Sequence, residues 1–374
     1  MKFNSVLESL KTYEAGKPIE LVVREYGVDP KDIIKLASNE NPYGASPKVT
    51  AKIQELSKNM FMYPDDSMYE LKEALANKYS VASNNIIIGS GSDQVIEFCV
   101  HAKCGEDSKV IMSKTTFAMY EIYAKQTGAT ILKTPDDEHN LEQFSQLYKD
   151  NGADVIFLCL PNNPLGECLD KDDVYEFLSQ VDENTLVIVD GAYQEYASYK
   201  DAKKQIQPSD LIHTFPNTIY LGTFSKVYSL GGMRVGYGIG HPEMIKTLHK
   251  LRPPFNITTL SLAAAIEALK DEAFVQECIA KNFEEMKQYE AYAKSNNIEY
   301  IPSYTNFITY KLPLEYISAQ VAQALLEKGI IIRDLTSYGL NAIRITIGRA
   351  DQNQKVLNAL DEVLNSLKTA KVYD

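Results

Sequence analysis

The chain has no tryptophan, and its five cysteines (Cys99, Cys104, Cys159, Cys168 and Cys278) are odd in number and form no Cys-x-x-Cys pair. That pattern argues against a disulfide framework and a zinc site, so no metal is expected, and it fits a reducing cytoplasm. Long apolar runs are missing too: nowhere do about 18 uninterrupted apolar residues occur, the length a membrane-crossing helix needs. The segment Met1 to Gly16 carries charge throughout and lacks the apolar centre of a signal peptide, so neither membrane insertion nor the usual secretory route is expected. Basic excess is absent as well. With 38 Lys+Arg against 50 Asp+Glu, a formal net charge of −12, the chain is a poor partner for nucleic acid or an anionic membrane. Any phosphate it binds must be gripped locally. No low-complexity tract or internal repeat interrupts the sequence.

What is present is an ordinary globular composition, 45% hydrophobic and 24% charged, spread over 374 residues, more than one hydrophobic core usually serves. Two lobes are expected. From about Lys35 to Gly240, short β-branched runs alternate with amphipathic stretches, the pattern of crossover units feeding a mostly parallel sheet. The clearest strands are Asn85 to Gly89, Lys109 to Ser113, Thr130 to Lys133, Asp154 to Leu160, Thr185 to Asp190 and Thr218 to Thr223. Beyond His241 a long helical pattern, Ser261 to Ser295, passes into strand-like Tyr300 to Tyr310 and Ala342 to Ile347. Pro253-Pro254 cannot sit inside a helix and marks the passage between lobes. The expected division is a large α/β domain over 30–255 and a smaller α+β domain made of 1–29 and 256–374.

Four segments carry chemistry. At Leu221 to Gly238 a strand runs into a glycine-punctuated loop with one lysine, Lys226, and eight residues later one arginine, Arg234. In α/β sheets ligands collect at the carboxyl ends of strands. A lysine there can form a Schiff base, and the hydroxyls of Thr223 and Ser225 with the Arg234 guanidinium suit a phosphate. A solvated surface loop is the alternative. The strand Thr185 to Asp190 ends in a carboxylate with Tyr193 three residues on. Burying Asp190 is costly without a cation, such as a protonated pyridine nitrogen, unless it merely caps the next helix. The strand Asp154 to Leu160 leads into Pro161-Asn162-Asn163-Pro164-Leu165-Gly166, where Asn163 can donate to a phenolate oxygen or simply build a turn. Gly89-Ser90-Gly91-Ser92-Asp93-Gln94 puts small residues between a strand and a helix, a place that favours a phosphate. Gln94 occupies the third-glycine position of a dinucleotide fingerprint, which argues against that rival.

Taken together and in this order, the segments resemble the fold-type-I pyridoxal-phosphate aminotransferases, and within them the histidinol-phosphate aminotransferase family. The resemblance covers essentially the whole chain and includes Ser38 to Gly44, Tyr63-Pro64-Asp65, Asp190-Gly191-Ala192-Tyr193, Ser225-Lys226, Gly232 to Gly236 and Ile343 to Gly348. It implies that Lys226 anchors pyridoxal phosphate and shuttles the proton, that Asp190 pairs with the pyridine nitrogen, and that Tyr193 and Asn163 hold the phenolate oxygen. It implies further that Phe117 stacks on the ring, and that the phosphate lies among Ser92, Asp93, Thr223, Ser225 and Arg234 with Tyr63 reaching in from a partner subunit, hence a homodimer. Arg344 would grip an α-carboxylate or a substrate phosphate, with Tyr13 and Asn39 beside it; Arg252 is a further candidate. Two departures stand out, Leu165 where the family has threonine and Gly191 where it has glutamate. They leave the cofactor contacts intact but keep open an aromatic-amino-acid aminotransferase or a decarboxylase of a phosphorylated amino acid. A regulatory pyridoxal-phosphate module fused to a DNA-binding domain is disfavoured by the acidic charge and by motifs that begin near Tyr13.

Overall fold

In the computed structural model, which describes residues 1, 5–10, 12 and 19–370, the short β-branched runs become a seven-stranded sheet. Its strands are β1 (Ile86–Gly89), β2 (Lys109–Met112), β3 (Thr130–Lys133), β4 (Val155–Cys159), β5 (Leu186–Asp190), β6 (Thr218–Thr223) and β7 (Gly236–Gly240). Their spatial order is β1-β7-β6-β5-β4-β2-β3, parallel except for β7, which runs antiparallel to both neighbours. Residues of β4, β5 and β6 are all buried, as runs that are apolar on both faces require. One face packs Ile188, Ile219 and Leu221 against Val95, Phe98 and Cys99 of the helix Gly91–Lys103.

β7 is the strand the hydrophobic pattern does not announce, because its sequence is Gly-Tyr-Gly-Ile-Gly. Those glycines are needed: a Cβ on Gly236 would lie 2.0 Å from the Ser92 nitrogen, and one on Gly238 would meet Ile219, Val95 and Ile87 side chains within 3.1 Å. The missing side chains let the helix Gly91–Lys103 seat directly on the strand.

The chain divides into two compact units, the first comprising residues up to 13, 44–163 and 168–276, the second 14–43, 164–167 and 277–374. This differs from a boundary at 255. Residues 256–276 stay with the first unit because helix Thr259–Leu269 packs against helix Pro47–Leu56. The helical pattern from Ser261 to Ser295 is two helices, Thr259–Leu269 and Glu272–Ser295, separated at Lys270-Asp271. In the second unit, Tyr300 to Tyr310 folds back on itself as antiparallel strands Glu299–Ile301 and Phe307–Lys311. These extend a four-stranded sheet through Ala342–Thr346 to Arg333–Asp334. Ile308, Tyr310, Ile343 and Ile345 bury one face of it against Val356 and Leu360 of helix Ala350–Ala370. No described helix is long and apolar enough to cross a membrane.

Candidate active site

The carboxyl ends of β4, β5 and β6 fall together because their registers pair Cys159 with Asp190 and Asp190 with Leu221, two residues short of Thr223. The amino end of β7 joins them through the pair Thr223–Gly236. A cavity of about 130 Å³ opens there, lined by Ser92, Asp93, Phe117, Asn163, Asp190, Tyr193, Thr223, Ser225, Lys226 and Arg234 together with Gly91, Cys159 and Ala192. All the cofactor residues expected from the sequence are among these except Tyr63, which is exposed, its ring 4.7 Å from that of Phe255.

Each wall has a local cause. Thr223 accepts the Ser225 amide at 3.1 Å, closing the turn that carries Lys226, whose Nζ stands 5.6 Å from the centre of the Tyr193 ring. Arg234 adopts a left-handed backbone, φ 54°, and its Nη1 donates to Ser225 Oγ at 3.3 Å and to the Gly231 carbonyl at 3.1 Å. Gly91, φ 76°, makes room for that guanidinium, since a Cβ there would lie 2.5 Å from Arg234 Nη2. The first turn of helix Gly91–Lys103, with its free N–H groups, therefore abuts the arginine, a ready anion site. Asn162 pins the opposite wall: its amide donates to the Thr115 carbonyl at 3.0 Å and its oxygen accepts from Thr116 Oγ1 at 2.9 Å, tying the Phe117 loop to the Asn163 loop.

Asp190 is 4% exposed, and burial raises its pKa above the ordinary carboxylate value against two opposing hydrogen bonds. Those bonds come from Tyr120 Oη to Oδ2 at 2.6 Å and from the Ala192 amide to Oδ1 at 3.1 Å. Tyr120 is a site residue that the sequence reading does not pick out, because a tyrosine in an amphipathic helix looks like any core aromatic. The same helix, Ala118–Gln126, supplies Tyr123, which donates to Asp93 Oδ2 at 2.8 Å. The Asp93 carboxylate is thus occupied by a phenol, and burial raises its pKa.

The substrate candidates part company. In the second unit, Arg344 is 7% exposed, donates to the Ala37 carbonyl at 2.7 Å and lies over the Phe307 ring at 5.1 Å. Thr346, on the same strand face, accepts the Asn39 amide at 3.0 Å and donates to its side-chain oxygen at 3.1 Å, holding Asn39 at φ 57°. Arg344 and Asn39 are therefore presented by one short stretch of sheet. Arg252 has a different use from the one expected: Nη1 and Nη2 grip Asp66 at 2.8 and 2.9 Å, and Asn256 takes a third bond. Tyr13 lies outside the described residues. Both sequence departures also have structural reasons. Leu165 is fully buried. A Cβ on Gly191 would come within 2.5 Å of Tyr220 Oη and 2.6 Å of its ring, so Tyr220 occupies the space a side chain at 191 would need.

Residues 31–360 match the family Aminotransferase class I and II. The chain belongs to that family. Within it, the chain is 71% identical over 367 residues to histidinol-phosphate aminotransferase of Aliarcobacter butzleri, covering 98% of this chain and 100% of that one. It is 60% identical over 365 residues to the enzyme of the same name from Wolinella succinogenes, with 98% and 100% covered. The crystal structure of histidinol-phosphate aminotransferase from Sinorhizobium meliloti in complex with pyridoxal-5′-phosphate superposes with a TM-score of 0.89 at 26% identity, covering 98% of each chain. The fold is the fold-type-I aminotransferase fold. For an aminotransferase of this family the residues fit pyridoxal phosphate: the cavity offers an amine, a buried carboxylate for a cationic ring nitrogen, and an arginine beside free helix N–H groups for the phosphate.

Proposed function

We propose that this chain is a pyridoxal-phosphate-dependent transaminase that moves the amino group of glutamate onto imidazole-acetol phosphate, giving histidinol phosphate and 2-oxoglutarate in histidine synthesis. The observation that carries this reading is the 71% identity, over nearly the full length of both chains, to a relative of that name. The described cysteines are all free, which fits a cytoplasmic setting.

Pyridoxal phosphate supplies the electron sink for bond breaking at the substrate α-carbon. In this reading, the chain's own groups bind and move protons. Lys226 Nζ would hold the cofactor and carry the proton lost from the substrate α-carbon. The Asp190 carboxylate accepts the pyridine N–H, Tyr193 and Asn163 hold the phenolate oxygen, and Phe117 covers the ring face. Arg234, Ser225, Thr223 and the N–H groups of Ser92 and Asp93 hold the phosphate. Arg344 takes the α-carboxylate of glutamate in a two-pronged pair and, in the other half-reaction, the phosphate of histidinol phosphate, with Asn39 beside it. The exposed residues Met60, Phe61, Met62 and Tyr63, with Phe255, make an apolar strip suited to a second copy, so that Tyr63 of the partner subunit reaches the phosphate.

The test follows the visible band of the bound cofactor as histidinol phosphate, glutamate or phenylalanine is added separately. Bleaching by the first two at far lower concentration than by phenylalanine is expected. The reverse order makes the chain an aromatic-amino-acid aminotransferase, and release of carbon dioxide makes it a decarboxylase.

A further inference from the structure

Tyr120 is fully buried, and its ring stacks on Phe157 at 4.3 Å with an interplanar angle of 8°. The stack fixes where its hydroxyl can go, and the hydroxyl goes to Asp190 Oδ2 at 2.6 Å. Burial and the neighbouring carboxylate push the phenol's pKa well above its usual value, so it stays protonated and can only donate to Asp190. Asp190 is also faced by Cys159, which pairs with it across the sheet, and by the charges of Asp93 and Lys226. Both hydrogen bonds that Asp190 is seen to accept, from Tyr120 and from the Ala192 amide, come from neutral groups. A neutral donor stabilises a buried carboxylate without cancelling its charge, which leaves that charge available to a cationic partner in the cavity.

We propose that Tyr120 is a positioning residue for the transamination: through its hydroxyl it keeps Asp190 ionised and aimed, so that the shared proton resides on the cofactor's ring nitrogen and not on the carboxylate. This rests on the proposed reading that Asp190 meets the pyridine nitrogen. Removing the hydroxyl raises the proton affinity of Asp190 and leaves the ring nitrogen less positive. The ring then withdraws electrons less strongly, the α-carbon proton is harder to remove, and the group at the cofactor's 4′ position keeps its own proton to higher pH.

Tyr120→Phe in the holoenzyme retains the ring and its stack on Phe157 while deleting only the donor. It is expected to lower kcat about tenfold, the size of one hydrogen bond to a charged group, with KM for glutamate nearly unchanged. The pH midpoint of the bound cofactor's visible band is expected to move upward. A fluorotyrosine placed at 120 keeps the shape, donates more strongly and is expected to move the midpoint downward, which also covers the case of a poorly folding Phe variant. Midpoints that stay put in both proteins, or that move in the same direction, overturn the inference. Asp190→Asn separates the two readings: if it changes kcat and the midpoint while Tyr120→Phe does not, only the inference about Tyr120 fails. If Asp190→Asn changes neither, the reading of Asp190 fails and the inference falls with it.

Discussion

Two of the first unit's cavities differ in a telling way. The one around Lys226 measures about 130 Å³; the other, about 350 Å³ and nearly three times larger, lies among Lys78, Tyr79, Glu195, Tyr220, Tyr228 and Glu272. In the larger one Gln194 and Ser198 are hydrogen-bonded, but other polar groups lack a close partner. Tyr228 Oη is buried without a hydrogen-bond partner, Lys78 and Glu272 approach only to 3.7 Å, and burial lifts the Glu195 pKa to about 7. In the smaller one a series of side chains is held by second residues: Thr223 holds Ser225, Ser225 holds Arg234, Tyr120 holds Asp190 and Tyr123 holds one oxygen of Asp93. Size does not mark the candidate active site here. Side chains converging from several strand ends, each with a supporting neighbour, do.

The comparison can be broken by mutation. Lys226→Ala is expected to cost the most, at least about 10³-fold in kcat, because it deletes the group proposed to move the proton. A single-turnover assay checks this, and the folded protein should lose the visible band that belongs to the lysine. Gly236→Ala comes next. Its new methyl meets the Ser92 nitrogen and the Gly91 carbonyl carbon, so the helix start must retreat from Arg234, and cofactor affinity is expected to fall roughly tenfold to a hundredfold, on the order of 1–3 kcal/mol of overpacking. Equilibrium dialysis against free cofactor measures it. An unchanged affinity would mean that the helix N-terminus holds no phosphate.

Gly191→Ala forces a methyl into the Tyr220 ring and is expected to destabilise the fold by about 1–3 kcal/mol in denaturant titrations, with Tyr220→Leu in the same chain restoring part of the loss. An additive pair would refute the steric account of why glycine replaces glutamate. The smallest effect belongs to the larger cavity. Glu195 loses its proton near pH 4.5 when unfolded and near 7 when folded, so between those values the folded chain holds more protons and stability falls as the pH rises. Glu195→Gln should flatten that slope, gaining on the order of 1–3 kcal/mol relative to the parent at pH 8 compared with pH 4.5, with kcat unaltered. A change in kcat would erase the distinction between the two cavities.

Much of this was legible in the sequence. Strand runs that are apolar on both faces located β4, β5 and β6; β5 and β6 end in Asp190 and Thr223, which line the cavity, and the loop after β4 carries Asn163 there. What escaped depended on contacts between segments far apart in the chain. Tyr120 and Tyr123 look like packing residues until Asp190 and Asp93, 70 and 30 residues away, arrive at their hydroxyls. β7 hid because glycine carries no hydrophobic signal, and its value lies in the side chains it lacks. Arg252 could be read as a spare cation only while Asp66, 186 residues away, was out of view.

Phe117, the N-cap of the nine-residue helix Ala118–Gln126, and Tyr120 and Tyr123 within it recur every third residue, and they meet the cavity, Asp190 and Asp93 respectively. One stretch of chain thus reaches three of the residues proposed to hold the cofactor. A helix that docks late, or frays early, cannot spoil one of these functions and spare the others. Cofactor capture and the ordering of Ala118–Gln126 should therefore behave as a single cooperative event, with the amides of this helix gaining protection from hydrogen exchange in step with occupancy.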